Sequence, residues 1–317
     1  HIHHQQGPRA IYASKHIKQG VGTYTSNFLN RIDTSAHILH NPEVPMIHTR
    51  LNEVLHNHKM VTGQNIIVAI AYYNGYNQED GILANKTSID MGLFGSSYYK
   101  MYEAFEKTDT KSGTEERFYN PLYKDEISEY PESLDPKTEY TFDKLDKFGF
   151  VKEGTYLDGK ENVIGKYFKS KDEHGEEQFK DMSSHTKKDN KGSYVDKVFT
   201  CQTNAVGDRL CKIRTCQYRK PEIGDKFASR CAQKGTYGVM LPREDLPSTS
   251  DGLVPDIIIH PSGYPKRMTI NQLLELLYGN LAVECGFFGL ASPLESFPVK
   301  EVNNILTDKL GFSYYGD

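Results

Sequence analysis

The sequence GDKFASRCAQKGT occupies residues 224–236, and the rest of the chain is interpreted outward from it. It places two lysines, Lys226 and Lys234, eight residues apart around a Phe-Ala segment. The small residues beside them let the backbone come close to a ligand, as a binding site for a polyphosphate chain requires. On spacing alone the alternative stays open that both lysines are solvated surface residues, because lysine is mostly exposed whatever its role.

Composition restricts the class of protein. The 317-residue chain has a formal net charge of −4, with His taken as neutral. This balance argues against an autonomous basic nucleic-acid-binding domain and favours a few individually placed cations. The five cysteines include no pair at the two-residue spacing of zinc motifs, and their odd number does not indicate a disulfide framework. We therefore expect a reducing compartment and no zinc site in this sequence. With neither a signal peptide nor an apolar run of 18 residues, we expect a protein that is neither secreted nor in a membrane.

The distribution of charge predicts the domain organisation. Charged side chains number 13 in residues 1–95, 47 in residues 96–220 and 20 in residues 221–317. Because charged residues are rarely fully buried unless paired, the two sparsely charged segments predict one discontinuous core domain, with residues 96–220 inserted as a second domain. The chain begins without methionine and stops without a closing element, and we interpret it as an excerpt of a longer protein.

Two apolar runs predict strands of the core. Residues 65–73, NIIVAIAYY, are too few for a typical helix and rich in β-branched side chains, which indicates a strand buried on both faces. The turn at Asn74-Gly75 then brings Glu79 and Asp80 to the end of that strand. Residues 252–261, GLVPDIIIHP, predict a second buried strand that prolines terminate.

Two helices are predicted towards the end of the chain. Thr269 and Gln272 have the spacing of a capping box, and this places Arg267 just ahead of a helix N-terminus, where an anion is favoured. A second helix is predicted from Pro298 to just before Gly311. The apolar face of the first helix is expected to consist of Leu273, Leu274, Leu277 and Leu281.

The charged insert is predicted to contain a hairpin and a long loop. Alternating runs at residues 195–203 and 209–219 indicate two strands, with residues 204–208 as the hairpin loop. Residues 168–192 consist mostly of Lys, Asp, Glu, Ser and Gly. We expect an exposed, disordered loop there, because so little apolar surface cannot offset the entropy of ordering the segment.

Taken together, these motifs resemble the second-largest (β-type) subunit of multisubunit DNA-dependent RNA polymerases, in its eukaryotic or large-DNA-virus branch more than the bacterial one. The resemblance runs in the same order from Gly7-Pro8-Arg9 to Thr269-Ile270. It implies a mainly β fold with helices (α+β). In this fold a double-psi β-barrel type hybrid-binding core, residues 1–95 and 221–317, is interrupted by a β-rich wall or flap, residues 96–220. The matching blocks are GQN (63–65), GYNQED (75–80), SIDMGLF (88–94), GDKFASR (224–230), REDLP (243–247), GLVPDIIIHP (252–261) and PKRMT (265–269).

The resemblance also assigns roles to the cations. It implies that Lys226 and Lys234 approach the RNA 3′ end, where they neutralise phosphate charge without reading sequence. It implies that Arg9 and Arg267 face the β- and γ-phosphates of the incoming nucleotide, a role suited to a forked guanidinium. Lys18 matches a family lysine near the same site more weakly. From the residues alone, Arg9 could equally be an ordinary exposed side chain held by a proline turn.

The acidic pair is assigned to a metal ion in the same way. The resemblance implies that Glu79 and Asp80 approach the second Mg²⁺, which arrives with the nucleotide, and that the contact of Asp80 can run through a water. The first Mg²⁺ belongs to the largest subunit. Two adjacent acids after a strand are otherwise commonly solvated turn residues. One departure from the family is Cys231-Ala232, which stands where the family commonly has His-Gly, so that any role of that histidine is absent or altered.

The implied function is template-directed RNA synthesis by an assembled multisubunit enzyme. The catalytic aspartate motif of the family lies in the largest subunit and does not occur in this sequence. The implied partners are the largest subunit, smaller subunits, the DNA template, the RNA–DNA hybrid and nucleoside triphosphates. The implied location is the nucleus, or the virion and host cytoplasm for a viral protein. The alternative is a non-catalytic nucleic-acid or assembly module derived from such a subunit.

Overall fold

The computed structural model describes residues 2–109, 112–126, 134, 139–172, 176–203, 207–292 and 297–313. The fold is mixed α+β and rich in strands, as expected. The helices are α1 (Ile2–Ile17), α2 (Arg50–Val54), α3 (Lys86–Asp90), α4 (Gly263–Arg267), α5 (Ile270–Cys285) and α6 (Val299–Leu310). The strands are β1 (Ser35–Leu39), β2 (Ile47–His48), β3 (Val68–Ile70), β4 (Gly81–Asn85), β5 (Ser96–Phe105), β6 (Thr108–Asp109), β7 (Thr114–Phe118), β8 (Tyr156–Leu157), β9 (Asn162–Ile164), β10 (Lys166–Lys171), β11 (Glu177–Asp181), β12 (Ser184–His185), β13 (Ser193–Thr203), β14 (Arg209–Arg219), β15 (Lys226–Ala228), β16 (Lys234–Leu241), β17 (Ile257–Ile259) and β18 (Gly289–Leu290).

The chain folds as two compact units. Unit 1 consists of His1–Leu29, Ile38–Ser96 and Arg219–Asp317. Unit 2 consists of Asn30–His37 and Ser97–Tyr218. The short segment Asn30–His37 therefore belongs with the charge-dense part of the chain, although it lies within the sparsely charged residues 1–95. None of the described helices has both the length and the apolar character needed to cross a membrane.

Unit 1 is built on a five-stranded sheet in the order β15-β16-β4-β17-β3. β4 is central, running parallel to β16 and antiparallel to β17. Successive residues of a strand point to opposite faces. Ile82 and Ala84 accordingly pack in one apolar cluster, while Leu83 packs in another on the far side. Both faces of β4 are therefore covered, which fixes the position of the residue before it, Asp80.

The strand predicted over residues 65–73 is wrong in its length and its burial. The strand β3 comprises only Val68–Ile70, lies at the edge of the sheet and is half-buried. Before it, Asp256 holds Ile67 by two contacts: its carboxylate accepts from the main-chain N–H of Ile67 at 2.8 Å, and its own N–H donates to the Ile67 oxygen at 2.9 Å. The second predicted strand is confirmed in the shorter form of β17, which lies between β3 and β4 and is largely buried.

The helix after Arg267 begins where expected, but its capping box is wrong. Thr269 is the N-cap of α5, yet its side chain makes no capping hydrogen bond. Its hydroxyl instead accepts a hydrogen bond from Gln233 Nε2 at 2.6 Å. Part of the predicted apolar face is also wrong, since Leu273 is 39% exposed, whereas Leu281 is buried. A tertiary contact has therefore replaced the local cap.

The last helix matches its prediction. The helix α6 follows Pro298 and ends at Gly311, whose φ of 77° is a left-handed conformation that glycine adopts without strain. Its buried residues Val302 and Leu306 pack against Leu281 of α5. The two helices thus bury one shared apolar cluster, as the spacing of their apolar residues indicates.

Unit 2 contains the predicted strand pair of the insert. The strands β13 and β14 are antiparallel and aligned from Tyr194 opposite Cys216 to Thr203 opposite Arg209. This confirms both alternating runs, while residues 204–206 of the predicted loop lie outside the described residues. The two strands lie in a five-stranded sheet in the order β1-β5-β14-β13-β8. Ile213 of β14 and Val195 of β13 are buried in its apolar cluster.

The prediction of a disordered loop at residues 168–192 is wrong for its described part. β10 and β11 form an antiparallel pair in which Tyr167 aligns with Asp181. Farther along, the fully buried side chain of Asn190 donates hydrogen bonds to the hydroxyls of Tyr102 at 3.0 Å and Thr215 at 2.7 Å. The segment is ordered because buried polar side chains with partners supply the contacts that its few apolar residues cannot. Residues 173–175 lie outside the described part.

Candidate functional site

The turn before β4 presents the acidic pair. Both Glu79 and Asp80 are exposed, and Glu79 has a φ of 55°. The fully buried Asn77 fixes the turn, because its Nδ2 donates to the main-chain oxygen of Ala71 at 2.7 Å and its Oδ1 accepts from the N–H of Tyr73 at 3.2 Å. Sequence reasoning missed this role of Asn77. The turn is thus a rigid support for two solvent-facing carboxylates.

Strand pairing places the two lysines on one face. In the antiparallel pair β15–β16, Lys226 is opposite Thr236 and Lys234 is opposite Ala228. Side chains of directly opposed residues share a face, as do residues two apart on a strand. Lys226 and Lys234 therefore point to the same side, both are exposed, and neither makes an ion pair among the described residues. The opposite face is apolar, with the ring of Phe227 stacked on that of Tyr237 at 4.1 Å between centroids.

Backbone contacts connect the lysine strands to the acidic turn. Thr236 is aligned with Gly81 in the parallel pair β16–β4, and its N–H donates to the main-chain oxygen of Asp80 at 2.9 Å. The approach is close at Gly235, where an added Cβ would lie 2.5 Å from a side-chain carbon of Ile82 and 2.8 Å from the oxygen of Asp80. Only glycine fits between these two strands without displacement, and the register places Lys234, two residues before Thr236, at the level of the acidic turn.

Arg267 joins three distant parts of the chain. Its Nη2 donates to Asp80 Oδ1 in an ion pair, and its Nη1 donates to Gln233 Oε1 at 2.8 Å. Its main-chain oxygen accepts from Arg9 Nε at 3.2 Å. The structure thus brings together Arg9, Asp80 and Arg267, three of the residues that sequence reasoning selected. The side chain of Arg267 is 27% exposed, and that of Asp80 is 55% exposed.

Gln233 is a residue of this site that sequence reasoning missed. Its Nε2 donates to the main-chain oxygen of Gly263 at 3.1 Å and to the hydroxyl of Thr269 at 2.6 Å, while its Oε1 accepts from Arg267. The one feature of the sequence that could have indicated a role for Gln233 is its position directly before Lys234. Lys18, in contrast, is exposed just after α1 and makes no side-chain hydrogen bond or ion pair within the described ranges.

Cys231 differs chemically from the histidine that the family resemblance implies at this position. Its thiol donates to Glu275 Oε2 at 3.3 Å, and Glu275 also pairs with Arg230 at 2.7 Å. Burial, together with the Glu275 carboxylate, raises the pKa of the Cys231 thiol to about 12. Since the thiol stays neutral at physiological pH, it cannot supply the positive charge available to a histidine. Ala232 is buried with a φ of 63°, a conformation that favours the glycine implied there by the resemblance.

The acidic residues alone do not make a complete metal site. Among the described residues, no three or more His, Cys, Asp or Glu side chains are grouped so as to hold a metal ion. Glu79 and Asp80 nevertheless fit a Mg²⁺ ion that takes its remaining ligands elsewhere, because they are exposed carboxylates and Mg²⁺ keeps several waters or phosphate oxygens.

The chain is similar along its whole length to RNA polymerase subunits. The family model described as RNA polymerase Rpb2, domain 6, matches residues 1–317. The DNA-directed RNA polymerase II subunit RPB2 of Encephalitozoon cuniculi is 38% identical over 319 residues, which cover 99% of this chain and 27% of that protein. Subunit 2 of the Arabidopsis thaliana enzyme is 37% identical over 321 residues, covering 99% and 26%. The archaeal subunit Rpo2 of Sulfolobus acidocaldarius is 35% identical over 303 residues, covering 94% and 26%.

These similarities show which family the chain belongs to and how much of a complete relative it covers. The chain spans about a quarter of the length of the curated relatives that it matches. Those relatives include both eukaryotic and archaeal proteins, so they do not distinguish one branch. The chain belongs to the RNA polymerase Rpb2 domain 6 family and is a segment of the second-largest subunit type.

Proposed function

We propose that this chain supplies the nucleotide-phosphate and RNA 3′-end contacts of a DNA-directed RNA polymerase and acts only within the assembled enzyme. The observation that carries the proposal is Arg267, whose guanidinium donates to Asp80 and Gln233 and whose main-chain oxygen accepts from Arg9. The relatives are named as subunits of that enzyme. In this proposal the chain positions substrates, and the largest subunit contributes the aspartates for the first metal ion.

Arg267 and Arg9 would bind the β- and γ-phosphates of the incoming nucleotide. The ion pair between Arg267 and Asp80 involves a carboxylate that is 55% exposed. Such pairs are worth about 0–1 kcal/mol, so a triphosphate can take the place of Asp80 at little cost. A guanidinium can donate two parallel hydrogen bonds to one phosphate, which an ammonium group cannot reproduce. Lys18 would lie near the same nucleotide and contribute a point charge.

Glu79 and Asp80 would approach the Mg²⁺ that accompanies the nucleotide, Asp80 through a water. When bound, this ion supplies charge neutralisation at the phosphates and orients them for in-line displacement. The release of Asp80 from Arg267 by the phosphates would leave its carboxylate available for the ion. One exchange of partners thus satisfies both side chains.

Lys226 and Lys234 would hold the RNA 3′ end. Their shared face, next to the turn of Asp80, suits two point charges that neutralise neighbouring phosphates.

We further propose that unit 1 corresponds to a double-psi β-barrel type hybrid-binding core and unit 2 to the wall. Within this proposal, the chain belongs to the eukaryotic or large-DNA-virus branch. Its partners would be the largest and smaller subunits, the DNA template and the RNA–DNA hybrid.

Arg267→Ala tests the proposal in the assembled enzyme. A charge-assisted hydrogen bond contributes about 1.5–3 kcal/mol, so the apparent KM for nucleotide should rise by about tenfold to a hundredfold. Extension should recover in part at high nucleotide concentration, and Arg267→Lys should not restore the wild-type KM. Single-nucleotide addition rates across nucleotide concentrations measure this. A wild-type KM in the Ala variant would refute the assignment.

A further inference from the structure

We propose that Gln233 is a positioning residue for nucleotide binding, whose side-chain amide holds the Arg267 guanidinium so that Nη2 can exchange from Asp80 to a phosphate. The inference rests on the proposed function of Arg267. It assigns to Gln233 an action through Arg267 and no contact of its own with the nucleotide.

The backbone of Gln233 is fixed by a closed turn between β15 and β16. Its main-chain oxygen accepts from the N–H of Ser229 at 3.0 Å, and the N–H of Ala232 donates to the oxygen of Ser229 at 3.2 Å. Ala232 adopts its φ of 63° within this turn and is buried. A side chain that leaves such a turn has a defined starting direction.

The orientation of the amide follows from its partners. Both hydrogens of Nε2 are used, one by the oxygen of Gly263 at 3.1 Å and one by the hydroxyl of Thr269 at 2.6 Å. Rotation of the amide by half a turn would place its oxygen against a carbonyl and its NH₂ group against the guanidinium, an arrangement of two donors. Oε1 must therefore face Nη1 of Arg267, as the 2.8 Å contact shows.

The position of these acceptors explains why Arg267 is held. Gly263 is the first residue of α4 and Thr269 follows its end, so Gln233 bridges the two ends of the short helix that carries Arg267. The amide thereby connects the guanidinium to the backbone of its own helix. The side chain of Arg267 loses rotational freedom before any ligand arrives, and a preorganised group binds with a smaller entropic cost.

The neutrality of the Gln233 side chain matters as much as its hydrogen bonds. Gln233 accepts from Arg267 without cancelling the positive charge that attracts a phosphate. Asp80 does cancel it, but its carboxylate is exposed and can be exchanged. A glutamate at position 233 would keep the length and the acceptor, but it would remove the net charge of the pair and both Nε2 donors. Gln233→Glu therefore disturbs charge and orientation together.

The test uses assembled polymerase carrying Gln233→Met, a substitution of similar length. The apparent KM for nucleotide triphosphate in single-nucleotide addition is expected to rise about tenfold, with kcat changed less than about threefold. Gln233→Glu is expected to raise KM further. The matched control is Gln64→Met in the same unit. Gln64 also makes three hydrogen bonds, to His40, Asn41 and Phe94, all with uncharged main-chain groups. Gln64→Met should lower the thermal stability of the enzyme and leave the KM for nucleotide unchanged.

A double variant distinguishes positioning from a merely structural role. If Gln233 acts through Arg267, then Gln233→Met should raise KM no more than about twofold in an Arg267→Ala background. Full additivity of the two effects would overturn the inference, as would a wild-type KM for Gln233→Met. In those cases a raised KM for Arg267→Ala alone would leave the proposed function intact. If Gln233→Met does not assemble, Gln233→Glu decides, and a wild-type KM for that variant overturns the inference.

Discussion

Gly235→Ala is expected to destabilise unit 1, because β16 lies too close to β4 for a side chain at that position. The added Cβ would lie 2.5 and 2.6 Å from two side-chain carbons of Ile82 and 2.8 Å from the main-chain oxygen of Asp80. Optimal carbon–carbon contacts lie at about 3.5–4.0 Å, so the strands must separate or Ile82 must leave its rotamer. Because the Asp80 oxygen belongs to the backbone, it cannot move aside alone.

The size of the effect follows from three contributions. Overpacking of a well-packed core costs about 1–3 kcal/mol. Loss of the 2.9 Å hydrogen bond from Thr236 to Asp80 adds about 1 kcal/mol. Alanine recovers about 0.5–1 kcal/mol relative to glycine in a strand. The expected net loss is about 1–3.5 kcal/mol in the free energy of unfolding of unit 1.

Gly238→Ala in the same strand is the matched control. A Cβ at Gly238 would meet only the oxygen of Tyr76, at an ordinary contact distance of 3.6 Å. This variant should be as stable as the wild type or slightly more stable. Urea denaturation gives the free energies of unfolding, and hydrogen exchange of the β4 and β16 amides reports on unit 1 alone. Equal stability of the two variants would refute the close approach on which the placement of Lys234 beside Asp80 depends.

Of three further predictions, one concerns Lys226 and two concern unit 2. In the assembled enzyme Lys226→Ala should lower the rate of nucleotide addition by about tenfold or more, and excess nucleotide should not restore it, in contrast to Arg267→Ala; identical kinetics of the two variants would show the roles to be misassigned. Burial of Glu161 by itself raises its pKa, but the Lys144 ammonium and neighbouring N–H groups outweigh burial and lower the pKa to about 2 from 4.5. The carboxylate should therefore contribute about 3 kcal/mol to stability above pH 4.5, lost as the pH falls towards 2, and urea titrations of Glu161→Gln should lack this dependence. Asn190→Ala should cost about 2–4 kcal/mol, since two buried hydroxyls lose a donor, and near-wild-type stability of unit 2 would contradict that.

The sequence predicted those elements whose signals are local. The alternating runs at residues 195–203 and 209–219 predicted the pair β13–β14, and proline and glycine predicted the ends of α6. The pattern of apolar residues along β13, β14 and α6 was informative because each of these elements buries one face. The motif blocks likewise led to the family that the comparisons show. The sequence predicted the length and burial of strands less well. Over residues 65–73 it predicted one long, fully buried strand, whereas β3 comprises only the half-buried Val68–Ile70.

Local composition failed where tertiary contacts decide the structure. The segment at residues 168–192 appeared unable to fold because it has few apolar residues, yet Asn190 finds its partners on Tyr102 and Thr215, far away along the chain. Thr269 was expected to cap its own helix, but its hydroxyl is used by Gln233. A hydrogen bond between residues tens of positions apart has no periodic signature, and it can override a local preference of about 1 kcal/mol.

The candidate site shows the same division. The sequence by itself determined which residue types are present: the two lysines around a Phe-Ala segment, the acidic pair after a turn, and an arginine ahead of a helix. Only the tertiary structure decided that Arg267 pairs with Asp80, that it donates a hydrogen bond to Gln233, and that Lys226 and Lys234 share a face. The physical reason is that these relations depend on strand register and on the close approach of β16 to β4 at Gly235, and both are set by packing across the sheet.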